Sequence, residues 1–154
     1  MTEGITAFNL IIKLYNEGKI AEYYNGTFNL LQHFKFPKLF IRKTKNAYIT
    51  FIRPILLKEI CKSSPVSYTA IRKRLERCNV KMRFNVLRDI FGTTLVNNGV
   101  TEMEQNLCCS CIPCSIFIRH YWSPKLKELG NRVFKALENS ECIKESRQAI
   151  TTSS

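Results

Sequence analysis

Four cysteines lie within seven positions of the chain, from Cys108 to Cys114. Cys108, Cys111 and Cys114 have the CxxCxxC spacing of zinc or iron–sulfur ligands, and Cys109 offers a further thiolate. A few residues later, Tyr121 stands between a histidine and a tryptophan and offers a hydroxyl that can act as a nucleophile. These residue types suit three chemistries: metal binding, disulfide formation, or nucleophilic attack.

The other cysteines bear on the first two chemistries. A structural zinc site usually takes its second ligand pair from a distant segment, and Cys61, Cys78 and Cys142 form no CxxC pair. The total of seven is odd, and the N-terminus lacks the regions of a signal peptide, so we expect reduced thiols in a cytosol. A loop of packed small residues is the favoured interpretation, with a metal site as the alternative.

The net charge indicates the class of partner. Lys and Arg number 24 against 12 Asp and Glu, which gives a formal charge of +12. This excess predicts attraction to a polyanion, with nucleic acid as the first candidate. An anionic membrane surface is second, and no apolar run approaches the roughly 20 residues that span a bilayer. We therefore expect a nucleic acid as the partner and no membrane.

The elements that position these residues are mostly helical. Apolar periodicity, caps and glycines predict helices over 5–15, 55–62, 68–78, 82–98, 101–107 and 125–140. In the first helix the apolar stripe contains Ile5, Phe8, Ile12 and Tyr15. Local signals mark the ends: Ser67 as an N-cap, Thr101 with Glu104 as a capping box, and Gly99 as a C-terminal stop. The last helix presents Leu126, Leu129, Val133 and Leu137 on one face.

Between these helices the residue types become β-branched and aromatic. The stretches KLFIRK (38–43) and AYITFI (47–52) are separated by Thr44, Lys45 and Asn46, which predicts a short antiparallel hairpin. The chain is long enough for one sizeable core. We therefore predict a single α+β domain over 1–142, mostly helical with a small antiparallel sheet, and a polar, frayed tail over 143–154.

One part of the chain resembles a known family. The stretch NVLRDIFGTTLVNNGV (85–100) is similar to the second arginine box of the tyrosine recombinases, the phage-type integrases. QNLCC (105–109) resembles the family's Gln-x-Leu-Leu-Gly, and RHYWSP (119–124) resembles the nucleophile segment of archaeal viral integrases. The box matches at Leu87, Arg88, Phe91, Gly92, Thr93, Leu95 and Gly99. Motif order and spacing agree over roughly 40 residues.

The resemblance implies a recombinase-type catalytic fold and a mechanism without a metal. In this family a tyrosine oxygen attacks the scissile phosphate of DNA, and cations neutralise the phosphate oxygens. The implied nucleophile is Tyr121 and the implied phosphate clamp is Arg88, whose planar guanidinium can hold two oxygens. A lysine on the hairpin turn acts as the general acid, with Lys45 as the first choice and Lys43 as the alternative.

The sequence departs from the family pattern at several cationic positions. Thr6 stands where the first catalytic arginine is expected, and Asn9 stands where a glutamate follows it. Asn85 replaces the His or Lys of the second box, and the remaining cation falls at Cys111 or Ile112. Each lost cation costs roughly 10²- to 10³-fold in rate, so the departures make activity an open question.

Other polar residues could contact DNA phosphates. This wider set contains Lys43, Asn85, Arg83, Arg119, His120, Arg72, Lys73 and Arg74. We expect no counterpart of the family's N-terminal core-binding domain in this chain. The resemblance further implies duplex DNA as the partner, an oligomer on DNA, no cofactor and no small-molecule substrate. It also implies a virus or integrated element as the source, acting in the host cytoplasm.

Three functional hypotheses follow. The first is an enzyme of DNA integration and site-specific recombination, truncated or degenerate, that breaks and rejoins strands through a phosphotyrosine. The second is a catalytically inactive DNA-binding remnant of such an enzyme. The third is a small Cys-rich regulator that binds a metal.

Overall fold

The computed structural model describes residues 2–41, 46–80, 84–109 and 126–140. These residues form mostly helices and a three-stranded antiparallel sheet, as the α+β prediction requires. The helices are α1 (Thr2–Asn16), α2 (Pro37–Phe40), α3 (Pro54–Cys61), α4 (Tyr68–Arg77), α5 (Phe84–Asn97), α6 (Glu102–Cys108) and α7 (Leu126–Asn139). The strands are β1 (Tyr24–Asn25), β2 (Leu30–Gln32) and β3 (Ile49–Phe51), and 3₁₀ turns cover Ile20–Glu22 and His33–Lys35.

Helix ends form where the sequence places local signals. Ser67 caps α4 by accepting a hydrogen bond from the Ala70 amide at 3.2 Å. Thr101 and Glu104 form the predicted capping box of α6, in which each side chain accepts from the other residue's amide. Beyond α5, Gly99 has a φ of +76°, which glycine adopts without strain. These three predictions are confirmed.

The sheet has the order β1-β2-β3, with antiparallel neighbours. Tyr24 pairs with Leu31 in the first ladder, and Leu31 pairs with Thr50 in the second. The central strand β2 therefore carries Leu30 and Leu31 to opposite faces of the sheet. Each face can then be covered by a separate layer of helices.

The predicted hairpin is wrong in its first strand. Within 38–43, the residues up to Phe40 belong to α2, and Ile41 makes an antiparallel bridge to Asn46. Strand β3 forms from the second stretch, but it pairs with β2. The physical reason is Pro37, which has no N–H to give to a ladder and has a φ suited to the first turn of a helix.

The buried face of α1 also differs from the prediction. Tyr15 is 52% exposed, and Ile5 and Phe8 are half-buried. The main buried stripe contains Ala7, Leu10, Ile11 and Leu14. Ile12, on the other side of the helix, is buried as predicted. Because α1 is covered on two sides, a single apolar stripe does not describe it.

Two apolar clusters lie on the two faces of the sheet. The first packs α1, α2 and α3 around Tyr23 and Leu31. The second packs the helices α5, α6 and α7 against β2 and β3. Its buried members are Leu30, Ile49, Leu95, Val100, Leu107, Leu129, Val133 and Ala136. The sheet is thus the middle layer of three.

Helix α7 lies close to β3 because of a glycine. A Cβ at Gly130 would lie 2.9 Å from a ring carbon of Phe51, so a larger residue would push the helix away. Leu129 and Val133 are buried, which confirms the predicted apolar face. Arg53 adds a polar connection, since its guanidinium donates to the Glu138 carboxylate at 2.6 Å.

Two further predictions concern other parts of the chain. The tail over 143–154 lies outside the described residues. Within the described ranges, no helix combines the length and the apolar character needed to cross a membrane.

Candidate functional site

An open groove of about 340 Å³ lies between α5 and α6. Both helices belong to the segments that resemble recombinase motifs. The described residues that line the groove are Arg88, Asp89, Gly92, Thr93, Gln105, Asn106 and Cys109. The groove therefore brings together residues from two motifs that are separate in the sequence.

Arg88 lies at the exposed end of the buried face of α5. Gly92 and Leu95 follow it by four and seven residues, so the three residues share one side of the helix. Leu95 and Gly92 are buried, whereas Arg88 is exposed and lines the groove. This position suits a cation that must meet a ligand from solvent.

Two apolar neighbours of Arg88 differ in their exposure. Phe91 is half-buried against the second apolar cluster. Leu87 is 45% exposed. Leu87 lies more than a third of a turn around the helix from the buried Gly92, which explains the difference.

Gly92 makes room for a polar side chain of α6. A Cβ at this position would lie 2.5 Å from Nε2 of Gln105. The glycine therefore leaves space for the Gln105 side chain, which lies beside Arg88 in the wall of the groove. An amide and a guanidinium both donate hydrogen bonds, and such donors can hold the oxygens of a phosphate.

Cys108 is the last residue of α6, and Cys109 follows it as the C-cap. Burial, together with smaller contributions from the neighbouring Cys109 and Glu104, raises the pKa of the Cys108 thiol to about 12. Cys108 is therefore protonated at neutral pH, and a protonated thiol is a poor metal ligand. Cys111 and Cys114 lie outside the described residues, within which no group of three His, Cys, Asp or Glu side chains could hold a metal.

Several residues of the expected site lie outside the described residues. They are Tyr121, Lys45, Lys43, Arg83, Arg119 and His120. The backbone of Asn85 lies in the first turn of α5, which begins at Phe84. Catalytic roles were assigned to Tyr121, Arg88 and Lys45, and of these three the described residues include Arg88 alone.

Helix α4 presents cations to solvent along its length. None of its residues is buried. Lys73, Arg74 and Arg77 lie at helical spacing on one face of α4, and the small residue Ala70 lies on the same face. Arg72, which belongs to the expected set, donates instead to the Glu76 carboxylate at 2.9 Å on the flank of the helix. Lys73 and Arg74 are thus better placed than Arg72 to contact a phosphate, and Arg77 joins them.

Asn9 has a structural role that the sequence did not reveal. Its amide nitrogen donates to the Val66 carbonyl at 2.8 Å, and its carbonyl oxygen accepts from the Val66 amide at 2.9 Å. The side chain therefore attaches α1 to the segment that leads into α4. An asparagine within an otherwise apolar helix was the available signal.

A group of hydrogen-bonded polar side chains lies beside the first apolar cluster. His33 is buried, with Nδ1 at 2.6 Å from the Tyr23 hydroxyl and Nε2 at 2.7 Å from Thr50 Oγ1. Burial lowers the pKa of His33 to about 4, so the ring is neutral at pH 7.

The tautomer of His33 follows from the burial of Tyr23. The Tyr23 hydroxyl is fully buried, and its hydrogen requires an acceptor. Nδ1 provides one when Nε2 carries the ring proton and donates to Thr50. In this tautomer His33 cannot take a proton from the Thr50 hydroxyl, so the three groups form a structural bridge and do not form a nucleophile with its base.

Comparisons of the chain with protein-family models, with curated proteins and with solved structures gave no match.

Proposed function

We propose that the protein binds duplex DNA and acts in DNA integration and site-specific recombination by breaking and rejoining strands. The observation that carries the proposal is the groove between α5 and α6. In its wall, Arg88 and Gly92 of the arginine-box segment meet Gln105 of the following motif. A shared site for two separate motifs is the arrangement that the resemblance to tyrosine recombinases calls for.

The proposed mechanism assigns one step to each group. The Tyr121 hydroxyl gives its proton to solvent as its oxygen attacks the scissile phosphorus, and the bond from phosphorus to the 5′ oxygen breaks as the phosphotyrosine forms. Arg88 holds the nonbridging oxygens, whose charge grows in the transition state. Lys45, or Lys43, protonates the leaving 5′ oxygen. Rejoining is the reverse reaction with a new 5′ hydroxyl, and no metal takes part.

The charge distribution supports DNA as the partner. The exposed face of α4 adds Lys73, Arg74 and Arg77 to the cation in the groove. Contacts of this kind fix the position of a protein on the duplex without reading its sequence. The large positive charge of the whole chain increases the rate of encounter with a polyanion.

Covalent trapping tests the enzymatic part of the proposal. The protein is incubated with a pool of nicked duplexes that release a short product, then denatured and examined on a gel. We expect a shifted band that disappears in Tyr121→Phe. In Arg88→Ala the rate of its formation should fall by roughly 10²- to 10³-fold, the usual cost of one transition-state cation. Trapping that is unaffected by Tyr121→Phe would contradict the assignment.

A second candidate is an inactive DNA-binding remnant, which the Asn9 contacts favour. Asn9 occupies the expected position of a glutamate that accompanies the first catalytic arginine, yet both ends of its amide bind the Val66 backbone. Asn9 therefore stabilises the packing of α1 against the segment before α4. Salt-sensitive DNA binding without any trapped product would support the remnant over the enzyme.

A further inference from the structure

A long stretch of the chain contains no acidic residue. From Tyr23 to Lys58 there is no Asp or Glu, although both flanking positions, Glu22 and Glu59, are acidic. The stretch includes all three strands and α2. Its seven cations are Lys35, Lys38, Arg42, Lys43, Lys45, Arg53 and Lys58. The stretch therefore has a net positive charge in sequence, and one of its cations, Arg53, pairs with Glu138 of α7.

Within this stretch, one segment is held by aromatic rings. His33, Phe36 and Phe40 surround the fully buried Tyr23, with ring centroids at 5.6, 5.3 and 6.1 Å from it. His33 and Phe40 also contact each other at 4.2 Å. These inward rings anchor the segment at three points, and the residues at 34, 35 and 37–39 between them are exposed.

The outward side chains combine cations with apolar groups. Phe34 is 47% exposed and Leu39 is 40% exposed, and Lys35 and Lys38 beside them are exposed as well. The Phe34 amide donates to the Tyr48 carbonyl at 3.1 Å, which holds the Phe34 backbone against the strand region. We call Phe34, Lys35, Lys38 and Leu39 the platform.

We propose that the platform binds unpaired nucleotides, with Phe34 stacked on a base and Lys35 and Lys38 at the adjacent phosphates. An exposed aromatic ring beside cations is the usual combination in sites for single-stranded nucleic acid, because every base has a face that can stack. Bases within a duplex are already stacked on each other, so a Phe ring must first unstack them, which costs a few kcal/mol per step. That the nucleic acid is DNA rests on the proposed function.

The small size of the platform argues against a membrane as its occupant. Helices that lie in a membrane interface bury a long apolar face, whereas α2 has four residues and the platform offers two large apolar side chains. A single stacked base needs only one ring. The absence of carboxylates from the surrounding sequence also suits a phosphate chain.

The test compares two fluorescent DNA probes, a blunt duplex and the same duplex with a 12-nucleotide single-stranded tail. We expect the full-length protein to bind the tailed probe more tightly. Phe34→Ala should weaken binding of the tailed probe by roughly 10-fold, the scale of one stacked base, and change binding of the blunt probe less than about twofold. Phe34→Tyr should restore the preference, since its ring also stacks.

A matched control uses Tyr15, an aromatic residue that is also half-exposed but lies on α1, outside the stretch without acids. Tyr15→Ala should leave both affinities unchanged. The double variant Lys35→Gln with Lys38→Gln should lower the slope of log affinity against log salt for the tailed probe by about 1.4. Each single-strand phosphate contact contributes about 0.7 to this slope. Thermal unfolding of every variant shows that the fold is intact.

The outcomes separate this inference from the proposed function. Equal weakening of both probes by Phe34→Ala, or no weakening of either, would overturn the platform assignment. Loss of binding to phosphatidylserine vesicles in Phe34→Ala, with binding to both probes unchanged, would also overturn it and identify a lipid surface. Binding of the tail through Phe34 by a protein that does not bind the blunt duplex would keep the platform and refute duplex binding.

Discussion

At the scale of single residues, His33 links three parts of the first apolar cluster. Its ring joins the Tyr23 hydroxyl to Thr50 on β3, and the ring of Phe40 packs against it. If the ring is protonated, both nitrogens become donors, and the Tyr23 hydroxyl hydrogen loses its acceptor inside the core. Protonation therefore costs both the desolvation of a charge and a buried hydrogen bond.

This environment predicts a pH dependence of stability. Burial lowers the pKa of His33 to about 4, whereas an unfolded histidine has a pKa near 6.5. The unfolded chain therefore binds the proton more readily, and the free energy of unfolding falls as the pH drops below about 6.5 towards 4. We expect a loss of about 2 kcal/mol between pH 7.5 and 5, measured by urea unfolding.

The variant His33→Gln isolates the contribution of this ring. It keeps a polar side chain of similar reach and leaves every carboxylate and His120 in place. The variant should be less stable at pH 7.5, and its stability should change less between pH 7.5 and 5. Identical pH profiles for the two proteins would show that folding does not lower the pKa of His33.

The sequence predicted some individual residues better than others. Arg88 was assigned from a motif; the structure places it in the wall of the groove, and its role stays a prediction. The structural bond of Asn9 to Val66 joins residues 57 positions apart, which no local pattern reports. The exposure of Tyr15 follows from which helices cover α1, and this also depends on distant parts of the chain.

At the scale of elements, one ion pair joins three helices. The Arg132 guanidinium on α7 forms two hydrogen bonds with the Glu104 carboxylate on α6, and it also donates to the Gly99 carbonyl after α5 at 3.3 Å. Glu104 is buried. Burial alone raises the pKa of this carboxyl, but the bonds from Arg132 and Thr101 outweigh it and lower the pKa overall.

Removal of Arg132 should therefore destabilise the protein more than removal of an exposed pair. Arg132→Ala leaves a buried carboxylate without its cation, and we expect a loss of about 2 to 3 kcal/mol in the free energy of unfolding. The matched control is Arg72→Ala, which breaks the exposed Arg72–Glu76 pair and should cost less than about 0.5 kcal/mol. Denaturant unfolding measures the stability of both variants. Equal losses would contradict the proposed contribution of the Arg132–Glu104 ion pair to stability.

The elements themselves differed in how far the sequence could predict them. The caps of α4 and α6 depend on residues within one turn, and they were predicted correctly. The partner of β3 was not, because β2 is a short strand whose pairing depends on contacts across the chain. The groove follows from the packing of α5 on α6, which depends on contacts between elements and which no local pattern of the sequence reports.

At the scale of the whole molecule, the cations divide into those with acidic neighbours and those without. Lys13 lies near Glu17, and Lys62 lies 3.1 Å from the Glu59 carboxylate. Lys73 and Arg77 instead lie four residues apart on the exposed face of α4. This division matters because phosphate contacts release counterions, whereas a cation beside a carboxylate contributes little to the local field.

The salt dependence of duplex binding can separate the two kinds of cation. Lys73→Gln with Arg77→Gln removes two charges from α4, and glutamine keeps the helix propensity. We expect the slope of log affinity against log salt to decrease by about 1.8, since each phosphate contact contributes about 0.9. The control, Lys13→Gln with Lys62→Gln, removes the same charge and should leave the slope nearly unchanged. Equal slopes for the two variants would mean that net charge, and not the face of α4, governs binding.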